Sequence, residues 1–315
     1  MARKIIIDTD AGIDDAIALT MALFDERLDV LAVTAVGGNV GAEQATQNVQ
    51  AIINLLDPPK LPRIGKAVEP ESGPTIRAHH VWGKDGLGDS DFPVVELHNL
   101  HTSDKILYEE VKAHPHEVTI LTIGPLTNIA TVIQRDPDWL SLVGELVIMG
   151  GAVESPGNIT PTAEFNIYSD PDSARLVFKS PVPKTLVPLD VTHKLVVPFD
   201  FLQSLPDESS RAGMLLHQLI PFAFRTHRQV FGIEGMYAHD AIALTAALSS
   251  ELFEMKEMSG DVETLGELTL GATIFDRRSR ASSRPNMTVA RNLKTEQVYD
   301  EIQRSLQRAA ARSAR

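Results

Sequence analysis

Near the amino terminus the hydrophobic residues come as an unbroken run, Ile5-Ile6-Ile7, that passes into polar residues at Asp8. A short apolar run bounded by turn residues predicts a strand buried on both faces. Ala16 to Phe24 then carries the spacing of a helix, and the β-branched run Leu28 to Val36 predicts a second strand ending at Gly37-Gly38-Asn39. A second helix is expected over about residues 43–56. Strands at 118–123, 146–149 and 184–189 alternate with helices at 127–134 and 171–178. Such alternation, with strands apolar on both faces, predicts an α/β fold: an open, mostly parallel, Rossmann-like sheet flanked by helices.

Between Ile64 and Asn99 the pattern dissolves into Gly, Pro, His and Asp. The stretch exceeds an ordinary connection and is expected to be a functional loop. Two helical segments are expected between residues 200 and 230. Short runs at Glu267–Ile274 and Met287–Val289 predict a small antiparallel addition near the carboxyl terminus, before a last helix at Thr295–Ala310. Arg304, Arg308 and Arg312 on that helix suit its carboxyl end, where cations complement the dipole, better than a binding stripe. No shift in composition divides the chain, so a single domain over 1–315 is expected.

Composition narrows the partners. With 43% hydrophobic and 23% charged residues, the 315-residue chain is globular in character. Its net charge of −13 repels a phosphate backbone, so nucleic acid is not an expected partner. The absence of cysteine removes thiol nucleophiles, zinc–thiolate sites and disulfides together. The apolar run after Lys4 is too short for a secretory segment, and none approaches the ~18 residues of a membrane span. A cytoplasmic protein without membrane contact is the expectation.

The chemistry concentrates at the exit of the first strand. Asp8-Thr9-Asp10-Ala11-Gly12-Ile13-Asp14-Asp15 sets four carboxylates within eight residues. Two unit charges ~4 Å apart repel by ~4 kcal/mol at an effective dielectric of ~20, so converging carboxylates need a cation or a proton. Helix capping accounts for one of Asp14 and Asp15, not for four. The hexapeptide Asp15-Ala16-Ile17-Ala18-Leu19-Thr20 recurs as residues 240–245, so Asp240 opens a second apolar helix. If both helices begin at one rim of the sheet, Asp10, Asp15 and Asp240 form an oxygen cage of the kind Ca²⁺ accepts. His239 beside Asp240 has the chemistry to deliver or take a proton. The turn Gly124-Pro125 is placed to leave the Ile123 carbonyl facing the cleft. After Met149-Gly150-Gly151, the residues Asn158, Glu164, Phe165 and Asn166 group amides and a carboxylate around an aromatic ring, as a sugar requires.

These motifs resemble those of the inosine-uridine preferring nucleoside hydrolases: residues 8–16, Gly37-Gly38-Asn39, Gly124-Pro125-Leu126-Thr127-Asn128, Met149-Gly150-Gly151, Glu164-Phe165-Asn166 and His239-Asp240. The resemblance implies hydrolysis of ribonucleosides to base and ribose in nucleoside salvage, by a homo-oligomer, dimer or tetramer. It implies Ca²⁺ held by Asp10, Asp15, the Ile123 carbonyl and Asp240, with Asp10 as general base for the attacking water. Asp14 and Asn166 would hold the 2′ and 3′ hydroxyls and Asn158 and Glu164 the 5′ hydroxyl. Asn39 would lie near the water, Met149 and Phe165 against the sugar, and His239 would assist the departing base. Ala11 and Ala241 stand where the family usually has Pro, losing a rigid ring but no ligand. Trp82 stands where many members have His, and stacking on a base and filling the loop's core are both open to it. Two other readings compete: a Mg²⁺-dependent aspartyl phosphatase with Asp8 as nucleophile, and a ribose- or nucleoside-binding protein without catalysis.

Overall fold

Ile5, Ile6 and Ile7 are fully buried at the centre of the first strand, as a run apolar on both faces requires. The computed structural model describes residues 2–95, 97, 99–278 and 283–313. Its elements begin with β1 (Arg3–Thr9), α1 (Ile13–Leu23), β2 (Leu28–Ala35), α2 (Ala42–Leu56), β3 (Arg63–Gly65), α3 (His79–Trp82) and α4 (Ser103–Ala113). There follow β4 (Val118–Thr122), α5 (Thr127–Arg135), β5 (Glu145–Met149), α6 (Phe165–Ser169), α7 (Pro171–Lys179), β6 (Lys184–Val187), α8 (Leu189–Thr192) and β7 (Val196–Val197). The chain continues through α9 (Arg211–Phe231), β8 (Met236–Tyr237), α10 (His239–Leu248), β9 (Phe253–Met258), β10 (Gly260–Val262), β11 (Thr273–Phe275), β12 (Met287–Leu293) and α11 (Thr295–Arg312).

Eight strands form one sheet in the order β3-β2-β1-β4-β5-β6-β12-β9, parallel except for the last pair. Two small antiparallel pairs, β10–β11 and β7–β8, lie outside it. The expected α/β architecture with an antiparallel addition is therefore present. Strand order reverses at β1, whose neighbours are β2 on one side and β4 on the other. At such a switch point the connections leave in opposite directions and open a crevice at the carboxyl ends of the strands.

The repeated hexapeptide explains itself in this frame. α1 is buried at every position and α10 from Asp240 to Ala247, because the two helices pack on each other beside the sheet. The threonine that ends each copy turns its hydroxyl back onto its own helix: Thr20 onto the Ala16 carbonyl and Thr245 onto the Ala241 carbonyl, both at 2.7 Å. Each satisfies its polar atom in an apolar setting. The pair therefore starts at one rim, with an aspartate in each first turn.

Several elements depart from expectation. β12 does not belong to an appended hairpin: it enters the main sheet parallel to β6, and β9 pairs with its other edge. Of the run 267–274, only Thr273 and Ile274 are strand, within β11. Upstream, the Glu263 carboxylate draws the amides of Leu265 and Gly266 into a turn, leaving Leu265 90% exposed. Residues 200–230 contain one 21-residue helix, α9, preceded by a 3₁₀ turn at Phe199–Ser204. The long loop after β3 contains the short helix α3; Glu96 and His98 within it, and 279–282 in the later segment, lie outside the described residues. The arginines of α11 are spent on ion pairs, Arg308 with Glu301 at 3.0 Å and Arg312 with Glu26 at 2.7 Å. Among the described residues no helix is long and apolar enough to cross a membrane.

Lys184 of β6 is buried, its ammonium donating to the carbonyls of Ser180 (2.7 Å) and Asn286 (3.0 Å). Burial pushes its pKa down to about 8, from 10.5 in an exposed chain. Between these values the unfolded chain holds the proton that the folded protein has released, so stability rises with pH. Urea denaturation should accordingly show wild type gaining on Lys184→Met from pH 7 to pH 10; a difference independent of pH would contradict this.

Candidate active site

The loop between β1 and α1 is closed by its own side chains. Thr9 donates its hydroxyl to Asp15, and the Asp15 carboxylate also accepts the Gly12 amide at 2.8 Å. Asp15 thus satisfies an amide at the start of α1 while remaining fully buried. Ala11 is held in the left-handed region at φ 53°, its amide on the Thr9 hydroxyl (3.1 Å) and its carbonyl on Asn48 (3.0 Å). A prolyl ring cannot take that angle, so alanine here does more than omit a rigid ring.

Asp10 is fixed from β2's exit. Both its oxygens are taken by Asn39, one by the backbone amide at 2.7 Å and one by the side-chain amide at 2.9 Å, which also reaches Asp15 at 3.3 Å. Gly38 permits this approach: a Cβ there would stand 2.1 Å from the Asp10 carboxylate. Asp14 and Asp15 from α1 and Asp240 from α10 offer ligand oxygens within 4.8 Å of one another, all buried. Asp14 and Asp240 lie within hydrogen-bond reach of each other, and burial holds both well above the usual carboxylate range.

These carboxylates border a cavity of about 320 Å³. Of the residues singled out in the sequence, Asp10, Asp14, Asn39, Trp82, Ile123, Met149, Asn158, Glu164, Phe165, Asn166, His239 and Asp240 line it, and Asp15 lies behind the lining. The Asn166 amide donates to the Ile123 carbonyl at 3.2 Å. Glu164 caps α6, accepting the amides of Asn166 (2.9 Å), Ile167 (3.2 Å) and Gly151 (3.0 Å), while burial pushes its pKa up to about 7. Asn158 accepts the Phe165 amide at 2.8 Å. Trp82 is buried and also lines the cavity, tilted against His227 at 5.4 Å between centroids.

His239 meets the Thr192 hydroxyl through Nδ1 at 2.8 Å. Burial first, then His193 and His227, hold its pKa well below the usual histidine range, so the ring is neutral at pH 7. His193, His227, Phe231 and Tyr237, which also line the cavity, escaped the sequence reading. His227 and Phe231 stand four residues apart on α9, a spacing that signals a shared face.

Asp8 is not at the site. It points into the sheet, receiving the hydroxyl of Thr34 and the amide of Asn128 (2.7 Å), is fully buried, and does not line the cavity. The phosphatase reading therefore loses its nucleophile.

A sequence profile of the inosine-uridine preferring nucleoside hydrolases matches residues 5–300. The chain belongs to this family. Uridine nucleosidase 1 of Arabidopsis thaliana is 38% identical over 87% of this chain and 82% of its own length. A pyrimidine-specific ribonucleoside hydrolase, RihA of Salmonella paratyphi B, is 35% identical over 98% and 99%. Among solved structures, a plant nucleoside hydrolase superposes with TM-score 0.91 at 29% identity, covering 98% of this chain and 99% of its own. A purine-preferring ribonucleoside hydrolase of Gardnerella vaginalis superposes with TM-score 0.90 at 26% identity, covering 98% and 99%. As a nucleoside hydrolase the protein is an enzyme that cleaves the N-glycosidic bond of ribonucleosides, which sets aside binding without catalysis.

The electrostatics of this nucleoside hydrolase's cavity demand a partner. Burial raises Asp10, Asp14 and Asp240 well above the usual carboxylate range, and the neighbouring aspartates raise them further. Among the described residues no lysine or arginine lines the cavity to balance them. An all-oxygen, buried and acidic donor set fits a hard divalent cation. In its absence the raised pKa of Asp240 destabilises the fold above the exposed-carboxylate value of 3.8. Asp240→Asn removes that penalty. In chelator the variant should melt above wild type, at about 2–4 °C for each kcal/mol relieved, whereas added Ca²⁺ should raise wild type more than the variant. A variant that melts below wild type in chelator would contradict the repulsion.

Proposed function

We propose that this enzyme is a calcium-dependent hydrolase of pyrimidine ribonucleosides, uridine first, acting in nucleoside salvage. The observation that carries the reading is the grouping of Asp14, Asp15 and Asp240, whose ligand oxygens lie within reach of one ion, beside a cavity that Asp10 also lines and that no lysine or arginine among the described residues borders. The choice of pyrimidine follows the two relatives at 35–38% identity, which are named for uridine and for pyrimidines.

Asp10, Asp15, Asp240 and the Ile123 carbonyl would hold the ion, with Asp14 close enough to Asp15 and Asp240 to share in the cluster. When bound, calcium supplies positive charge that acidifies water and orients a vicinal diol. Asp10 takes the proton of the attacking water; the Asn39 contacts fix both of its oxygens for that task. Asp14 and Asn166 receive the 2′ and 3′ hydroxyls. Asn158, whose side-chain carbonyl is engaged by Phe165, turns its amide to the 5′ hydroxyl with Glu164. Met149 and Phe165 pack on the ribose. As the bond to the base breaks, the sugar gains oxocarbenium character, and the surrounding carboxylates stabilise it. His239 is neutral and would serve the departing base as a hydrogen-bond donor through Nε2, the tautomer in which Nδ1 accepts from the Thr192 hydroxyl.

Assays with uridine, cytidine, inosine and a phosphomonoester test this, with free base, ribose and phosphate measured. Base and ribose should appear from uridine, stop with chelator and return with Ca²⁺. Asp10→Ala should lower kcat by about 10³-fold, and His239→Ala should slow uridine far more than 4-nitrophenyl riboside, whose leaving group needs little help. Turnover indifferent to chelator would overturn the metal's role, and equal slowing of both substrates would overturn that of His239.

A further inference from the structure

The cavity has two unlike ends. One is the carboxylate cluster. The other is a chain of rings that starts at His239, next to Asp240, passes to Tyr237 at 5.3 Å, and continues to His227 at 6.0 Å, Phe231 at 5.2 Å and Trp82 at 5.4 Å. A ribose anchored among the carboxylates sends its base toward these rings, which suit a flat heterocycle.

His227 brings to that wall a ring nitrogen with no protein partner among the described residues. It lies within α9 and is 1% exposed, yet it lines the cavity. Its Nδ1 meets the Ala223 carbonyl, one turn back, at 2.8 Å. A carbonyl only accepts, so Nδ1 holds the hydrogen, and in the neutral ring Nε2 presents a lone pair. Burial holds the ring's pKa down, which keeps it neutral. Among the described residues Nε2 has no hydrogen-bond partner. On a residue that lines the cavity, such an acceptor is open to a ligand that brings a donor.

We propose that His227 is a specificity-determining residue of this enzyme, its Nε2 accepting a hydrogen bond from the ring N–H of the nucleobase, as offered by N3 of uracil or N1 of hypoxanthine. The proposal rests on the reading of the cavity as a ribonucleoside site and adds the feature of the base that is selected. A base whose corresponding ring nitrogen is methylated, or is itself an acceptor, leaves the lone pair unmet.

The test compares kcat/KM for uridine with 3-methyluridine and for inosine with 1-methylinosine, in wild type, His227→Phe and His227→Gln. Wild type should prefer the unmethylated member of the pair it accepts by tenfold or more. His227→Phe should bring the members of that pair within about twofold, through loss on the unmethylated one. His227→Gln, which again offers an acceptor, should keep the preference. Release of 4-nitrophenolate from its riboside by each variant establishes that it is folded and competent. An undiminished preference in His227→Phe would assign it to steric exclusion of the methyl group and overturn the proposal, as would convergence in both variants. If wild type hydrolyses neither nucleosides nor the riboside, it is the reading of the site that fails and not the assignment within it.

Discussion

Mutual repulsion among buried carboxylates is the constraint around which the rest of the molecule is arranged. Asp10 leaves the end of β1, Asp14 and Asp15 open α1, and Asp240 opens α10. Each would be better solvated elsewhere. They stay together because the elements that carry them are held by apolar packing that costs far more to undo: α1 is buried along its whole length, and so is most of α10. The hydrogen bonds from Thr9, Gly12 and Asn39 offset part of the burial but bring no positive charge. The fold thus holds an electrostatic repulsion that a bound hard cation would relieve, a cost in stability set against function.

Around that point the cavity divides by chemistry. Asn166, Asn158 and Glu164 come from the loop and short helix after β5, and each is already oriented by a bond to backbone: Asn166 to the Ile123 carbonyl, Asn158 to the Phe165 amide, Glu164 to the start of α6. Polar groups fixed in this way lose little freedom when a sugar arrives. The rings of α3, α9, β8 and α10 form the complementary wall. In the reading proposed above, one wall would recognise hydroxyls by number and position, and the other a plane and its edge.

How much of this could be read in the sequence depended on the range of each signal. β1, α1 and β2 were legible because their apolar runs are local and their turn residues unambiguous. The two aspartate-headed helices were legible because the same six residues occur twice. The placing of β12 inside the sheet was not, since parallel pairing with β6 joins segments about a hundred residues apart and leaves no local mark. The strand expected over 267–274 is present only at its end, in β11, because the chain enters that run from a turn that Glu263 fixes through the amides of Leu265 and Gly266. In the site, residues within short polar motifs were found, while His193, His227, Phe231 and Tyr237 were passed over. A histidine on an apolar helical face is ordinarily a satisfied core residue, and only the cavity distinguishes His227 from that case. The purpose of Gly38 was equally hidden until the Asp10 carboxylate was seen against it.

The most direct measurement is calorimetric titration of the chelator-stripped protein with Ca²⁺, alongside Asp240→Asn. One ion per chain should bind to wild type, and the variant should bind far more weakly. If the wild-type protein binds no divalent ion, or if the variant binds it equally well, the carboxylates are not gathered for a cation and the account is wrong.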